Sequence, residues 1–323
     1  MNDAVAVGSA VGNQRRGWRW IFWGPHGLRA GWSLLIYVAL TQTLGAALFF
    51  AIQRIWNLPD QPRFTPGLLI AAELVQGVIV VGVTLLMGRI EKRSLATYGL
   101  PLRRAFGGRF WEGALWGVGS CGLVYALLAL FGAYRVHGLA EQGATALRWV
   151  FLWALAMLCV ALYEEPAFRG FQLFTLSRGI GYWPAALLLS LGFGALHYFQ
   201  KPNETWLDFL NVGLIGLFFC FTVRRTGDIW FAAGWHFTFN FMSMGVMGSP
   251  NTGNEGGKPL EGHLLASSFQ GPDWLTGGRT GAQASVFTLA MVVALFALFH
   301  WRYREARYPV LTGAPEPERA VPR

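Results

Sequence analysis

Charged side chains are scarce in this sequence: they make up 13% of its 323 residues, against 54% hydrophobic ones. A soluble globular domain carries about 25% charged residues, so water is not the main solvent of this chain. Cysteine is scarcer still, at Cys121, Cys159 and Cys220. All three fall in apolar segments without a C-x-x-C pair, which excludes a disulfide framework and a thiolate metal site and leaves packing as their use. No second copy of the polar motifs of the C-terminal half occurs in the N-terminal half, which speaks against a transporter built from internal repeats. A cleavable leader is not expected either. Arg15, Arg16 and Arg19 precede the first apolar run, but that run is too long for a signal core and has no cleavage site.

What is present is length in apolar runs. A transmembrane helix needs roughly 20 apolar residues, because about 30 Å of hydrocarbon is crossed at 1.5 Å per residue. Eight runs approach that, at 32–52, 68–87, 113–131, 149–176, 183–199, 206–223, 229–247 and 284–301. The expected fold class is therefore all-α, a polytopic membrane helix bundle of eight spans. The chain divides into an N-terminal tail at 1–30, the bundle at 31–302 with its core motifs at 149–247, and a polar, proline-containing tail at 303–323 expected to be disordered. A glycine-rich stretch at 248–281 is too long for a turn and reads either as a lid or re-entrant segment or as a flexible connection.

The net charge of +9 raises nucleic acid as a partner, but the basic residues lie between spans rather than on a soluble face with aromatic platforms. Nucleic acid is therefore not expected. With the N-terminus placed in the cytoplasm, 18 of the 26 Lys and Arg fall on that side, 7 on the other, and Arg169 within a span. The positive-inside rule then predicts an integral membrane protein with both termini cytoplasmic.

Ionisable groups inside the spans cost several kcal/mol each and ask for a partner or a purpose. The fourth run holds Tyr163-Glu164-Glu165-Pro166-Ala167-Phe168-Arg169-Gly170. Glu165 and Arg169 are one helical turn apart and can pair, while Glu164 points about 100° away, toward another partner. Pro166 lacks an N–H and crowds the preceding turn, so the helix should bend or open there. Glu164 lies 16 residues before position 180 and His197 lies 17 after it, so an antiparallel hairpin puts both at one depth. His236 and Asn240 share a helix face. A carboxylate beside an imidazole can activate water, and an imidazole with an amide can donate to an oxyanion. Alternatively, Glu164, His197 and His236 could hold a zinc or other divalent ion whose water is the nucleophile. In the bland alternative these groups satisfy one another as structural cross-links. Glu73, Gln76, Asp208 and Asn211 either line the cavity or cross-link helices, with cross-linking favoured, and His26, His137, His263 and His300 receive no chemistry.

Three motifs, E-E-x-x-x-R at Glu164, Glu165 and Arg169, F-x-x-x-H at Phe193 and His197, and H-x-x-x-N at His236 and Asn240, together resemble the CPBP family. That family includes CAAX prenyl endopeptidases and bacteriocin-processing or immunity proteins. The resemblance covers 149–247 and implies an intramembrane endopeptidase of about eight helices. It implies that Glu164 and His197 activate water, that His236 and Asn240 form the oxyanion hole, and that Glu165 and Arg169 orient the site. Its members have often been called metalloproteases, and the resemblance places the chain in a bacterial inner membrane among lipids. The substrate implied is a membrane-associated peptide or protein, such as a C-terminal tail, although nothing in the chain reads as a prenyl-binding signature. Trp274-Leu275-Thr276-Gly277-Gly278 is similar to a segment of many bacterial members. Other intramembrane proteases fit less well: there is no H-E-x-x-H helix, Ser120 is not in a G-x-S-G setting, and Gly227-Asp228 lacks the G-x-G-D pattern. Two further readings stay open, a non-enzymatic immunity or scaffold protein of this fold and an ion or proton transporter using Glu73, Glu164 and Glu165.

Overall fold

The computed structural model describes residues 18–24, 27–56, 64–201, 203–250 and 257–308. Its long elements are α1 (Ala30–Trp56), α2 (Pro66–Glu91), α3 (Gly108–Leu130), α4 (Gly143–Glu165), α5 (Gln172–Ile180), α6 (Tyr182–Gln200), α7 (Trp206–Thr226), α8 (Trp230–Asn240) and α9 (Val286–Arg302). α4 runs into α5 through a π-helical turn at Pro166–Phe171, and a second π-turn, Phe241–Val246, extends α8. Counting α4–α5 as one rod gives eight rods, as expected. Among the described residues, α1, α2, α3, the α4–α5 rod and α7 are long and apolar enough to cross a membrane, and α9 is a shorter apolar helix. The protein is thus an all-α, polytopic membrane bundle. α6 and the short α8 run beside these spans and carry more of the polar groups.

Helix ends follow local chemistry. Thr65 accepts the Leu68 N–H at 3.3 Å ahead of Pro66, and Thr205 accepts the Asp208 N–H at 3.2 Å, each satisfying an orphan donor of a first turn. Gly227, at φ 92°, ends α7 in the left-handed conformation that glycine adopts without strain. Pro166 opens the fourth rod as its sequence demands, and Gly170, at ψ −117°, leaves helical geometry one turn later.

α3 and α8 cross at very close range. Gly113 and Gly117 of α3 lie against the backbone of Phe231 and Trp235, and Gly234 of α8 lies against that of Phe110. A Cβ on Gly113 would fall on the Phe231 carbonyl oxygen. Because lipid is as apolar as leucine, such small-residue contacts, rather than hydrophobic burial, bring membrane helices together. Thr238 adds a 2.8 Å hydrogen bond from its hydroxyl to the Ala114 carbonyl. The crossing fixes α8, the helix that carries His236 and Asn240.

Two expectations change. The glycine-rich stretch contains β2 (Leu265–Phe269), which pairs antiparallel with β1 (Tyr134–Leu139) in a two-stranded sheet capping one end of the bundle. It is therefore not a bare connection among its described residues, and 251–256 lie outside them. The strands escaped notice because each is short and follows an apolar helix. The C-terminal segment stays packed beyond 302: Tyr303 and Tyr308 are buried, and the Arg224 carbonyl accepts the Arg307 N–H at 2.8 Å. The disorder expected for 309–323 and the N-terminal residues 1–17 lie outside the described residues. The three cysteines are free and buried, as expected.

Gly113→Ala is expected to destabilise the bundle by about 1–3 kcal/mol or more through overpacking. Gly119→Ala, on the same helix with open space around its Cα, is expected to be neutral or stabilising by up to about 1 kcal/mol. Thermal unfolding of the two proteins in detergent checks the contrast.

Candidate active site

The polar residues of the fourth, sixth and eighth helices meet inside the bundle. Glu165 is fully buried and its Oε1 accepts from two donors, Arg169 Nη1 at 3.3 Å and His236 Nδ1 at 2.8 Å. The ion pair expected from one-turn spacing is present, and His236 joins it from α8. Arg169, 1% exposed, lies over the rings of Phe193, Phe219 and Phe168 at 4.5, 5.2 and 5.6 Å. A weakly hydrated, planar guanidinium tolerates such an aromatic cage better than an ammonium would.

Glu164 is turned away from that pair and lines a cavity of about 160 Å³. Its Oε2 is 3.8 Å from His236 Nε2. The His236 ring therefore stands between the two consecutive glutamates and stacks on Phe219 at 5.5 Å. Asn240, one turn later on α8, lines the same cavity, as does His197 near the end of α6. The His197 Nδ1 is 3.0 Å from the Phe193 carbonyl of its own helix. That contact requires a proton on Nδ1 and leaves Nε2 as the acceptor. Phe193 thus does two things in the F-x-x-x-H motif, offering its ring to Arg169 and its carbonyl to His197.

Every site residue singled out in the sequence is in this assembly: Glu164, His197, His236 and Asn240 on the cavity wall, Glu165 and Arg169 behind it. The equal-depth count for Glu164 and His197 agrees with their shared cavity, while the short contact of Glu164 is with His236. Sequence reasoning underrated Glu73. It lines the cavity with a buried Oε2 that has no hydrogen-bond partner, and its signal was a lone carboxylate inside the second apolar run. Asn211 has the cross-linking role expected of it, donating from Nδ2 to the carbonyls of Gln283 at 2.7 Å and Ser285 at 3.0 Å. Between α6 and α7, burial, and then the adjoining Asp208, push the Glu204 carboxyl well above the usual carboxylate range.

The zinc alternative needs three ligands converging on one point. Among the described residues no three His, Cys, Asp or Glu side chains gather in that way. Glu164, His197 and His236 therefore do not fit a metal triad, and no step is derived through a metal.

The bundle gathers carboxylates, imidazoles and an amide from three helices around an internal cavity, and ionisable groups at such depth mark a functional site. Residues 146–242 match the sequence model of the Rce1-like family, described as type II CAAX prenyl endopeptidase, in agreement with the CPBP-family motifs. The matched segment starts in α4 and ends just past α8, so it contains all six site residues and supports a membrane protease. No curated protein matches the chain.

Arg169→Met leaves the Glu165 carboxylate buried beside His236 alone, and removing one partner of a buried ion pair costs about 3–5 kcal/mol. The doubly substituted protein, E165Q/R169M, is expected to regain part of that loss. Thermal unfolding of the single and double variants checks the non-additivity, and additive losses would contradict the pairing.

Proposed function

We propose that the protein is an intramembrane endopeptidase that hydrolyses a peptide bond in a membrane-associated polypeptide. The observation that carries this reading is the presence of Glu164, His197, His236 and Asn240, from three helices, on the wall of one cavity. In this reading Glu164 takes a proton from a water held with the help of His197 Nε2, and the water oxygen attacks the carbonyl carbon. The C–N bond then breaks as the proton passes to the leaving amine. The Asn240 amide and His236, with a proton on Nε2, donate to the oxyanion formed in between. Glu165, itself paired with Arg169, holds the His236 ring at its other edge. The apolar walls, Phe219, Trp235 and Phe239 among them, exclude water and so strengthen these interactions.

Glu164→Gln keeps the shape of the side chain and removes the base, so cleavage should vanish while thermal unfolding is little changed. Asn240→Ala should lower the turnover rate by about 10²–10³, the usual cost of one oxyanion donor. Comparison of membrane peptides from cells producing the parental and E164Q proteins reveals the substrate and tests the activity together. Purified E164Q matching the parental rate on a verified substrate would overturn Glu164 as the base, and identical peptide sets with no cleavage by the purified parental protein would leave only a scaffold role.

A further inference from the structure

The two ends of the bundle differ in charge. At one end Glu91 of α2 gathers the Arg178 Nη1 at 3.1 Å, the Arg93 Nε at 3.5 Å, the Tyr98 hydroxyl at 3.2 Å and the Ser33 hydroxyl. Arg104 pairs with Asp228 at 3.7 Å, and Arg109 with Glu112 at 3.1 Å. These contacts bring the start of α1, the α2–α3 loop, the α5–α6 turn, the α7–α8 turn and the tail after α9 to one end. Among the described residues, those segments and the helix ends beside them carry 14 Lys and Arg, against six at the other end. The positive-inside rule makes this end cytoplasmic. The β1–β2 sheet caps the other.

The cavity is not placed symmetrically between them. Its outer lining is Phe64 and Leu69 at the start of α2, Lys201 just past α6, and Gln283 ahead of α9, all from the sheet-bearing end. Toward the basic end it is closed by Met87, Tyr98, Phe110, Phe171 and Phe218, each no more than 1% exposed. In that layer Phe171 stacks on Tyr37 at 4.5 Å and meets the tilted ring of Tyr98 at 5.0 Å. A polypeptide coming from the basic end would have to displace a close-packed aromatic layer.

We propose that the cavity is entered from the face opposite the basic loops, so that the peptide cut is an extracytoplasmic segment of a membrane-anchored or translocated polypeptide. The substrate part of this statement rests on the peptidase reading above; the route of entry does not. A tail that remains in the cytoplasm is on the wrong side of the aromatic layer. The sheet and the short helix Asp273–Thr276 then lie beside the entrance, where an arriving segment would meet them first.

The test introduces single cysteines into the full-length chain, whose native cysteines are buried. They are Q283C at the cavity mouth, V212C in its wall, and L102C on the basic end, where Leu102 is 55% exposed. Intact cells are treated with a membrane-impermeant maleimide before and after permeabilisation. Q283C and V212C should react in intact cells, and L102C only after permeabilisation. The reverse pattern, or V212C reacting only after permeabilisation, overturns the proposed entry whether or not the protein is a peptidase. Peptides that differ between parental and E164Q cells should map to extracytoplasmic segments. If they map to cytoplasmic tails, the entry proposal fails while the peptidase reading stands; if labelling is as expected and no peptide differs, the peptidase reading fails and the route of entry stands.

Discussion

The rest of the site depends on one buried carboxylate. Glu165 sits at membrane depth with no solvent exposure, a position that an isolated ion cannot hold without a large desolvation cost. Its Oε1 accepts from Arg169 on its own rod and His236 on α8, so a single oxygen ties the two helices together. Arg169 is in turn held over three phenyl rings contributed by the π-turn, α6 and α7. The compensation is incomplete, because Glu165 Oε2 and Arg169 Nη2 have no hydrogen-bond partner. A buried network left partly unsatisfied gives less stability than an apolar core would. Its benefit is positional, since it fixes the His236 ring in one orientation, with a proton on Nδ1.

That fixed ring is useful only if α8 itself cannot shift, and the glycines of α3 and α8 provide the constraint. With Gly113 against the Phe231 backbone and Gly234 against the Phe110 backbone, the two helices have no space in which to slide. The third helix of the site is coupled differently. α6 is joined to the others through Phe193, whose ring faces Arg169 and whose carbonyl holds His197. Ion pair, backbone contact and aromatic face together set three imidazole and carboxylate positions around one cavity.

Much of this was legible in the sequence because membrane depth makes polar residues conspicuous. Glu165 and Arg169 one turn apart, His236 and Asn240 one turn apart, and the symmetric distances of Glu164 and His197 from Gly179 to Gly181 were sufficient to gather the site. The helical rods were legible from run length alone. What was hidden depended on partners distant in the chain. Nothing local marks Tyr134–Leu139 as the partner of Leu265–Phe269, since the two strands are separated by most of the bundle. The assignment of His236 to Glu165 was equally invisible, because side-chain spacing within α4 says nothing about which carboxylate faces α8. The glycines at 113 and 117 were visible as a pair of small residues one turn apart, but their importance comes from the carbonyls they meet.

The two consecutive glutamates show how neighbouring identical groups are driven to different uses. Helical geometry separates them by about 100°, and the packing around them does the rest. Glu165, 0% exposed, is committed to a guanidinium and an imidazole; Glu164, with 20% of its side chain exposed, faces the cavity and has its nearest charged partner at 3.8 Å. A carboxylate that must accept and release a proton has to be reachable by water and must not be locked in a short ion pair. One that must orient a ring has the opposite requirements. Pairs of titratable groups in such contrasting environments are the usual structural basis for dividing orienting and proton-transfer roles. Of the two, only Glu164 meets the requirements of the base in the proposed hydrolysis. Exchanging their roles would require Glu165 to abandon both of the contacts that allow it to be buried.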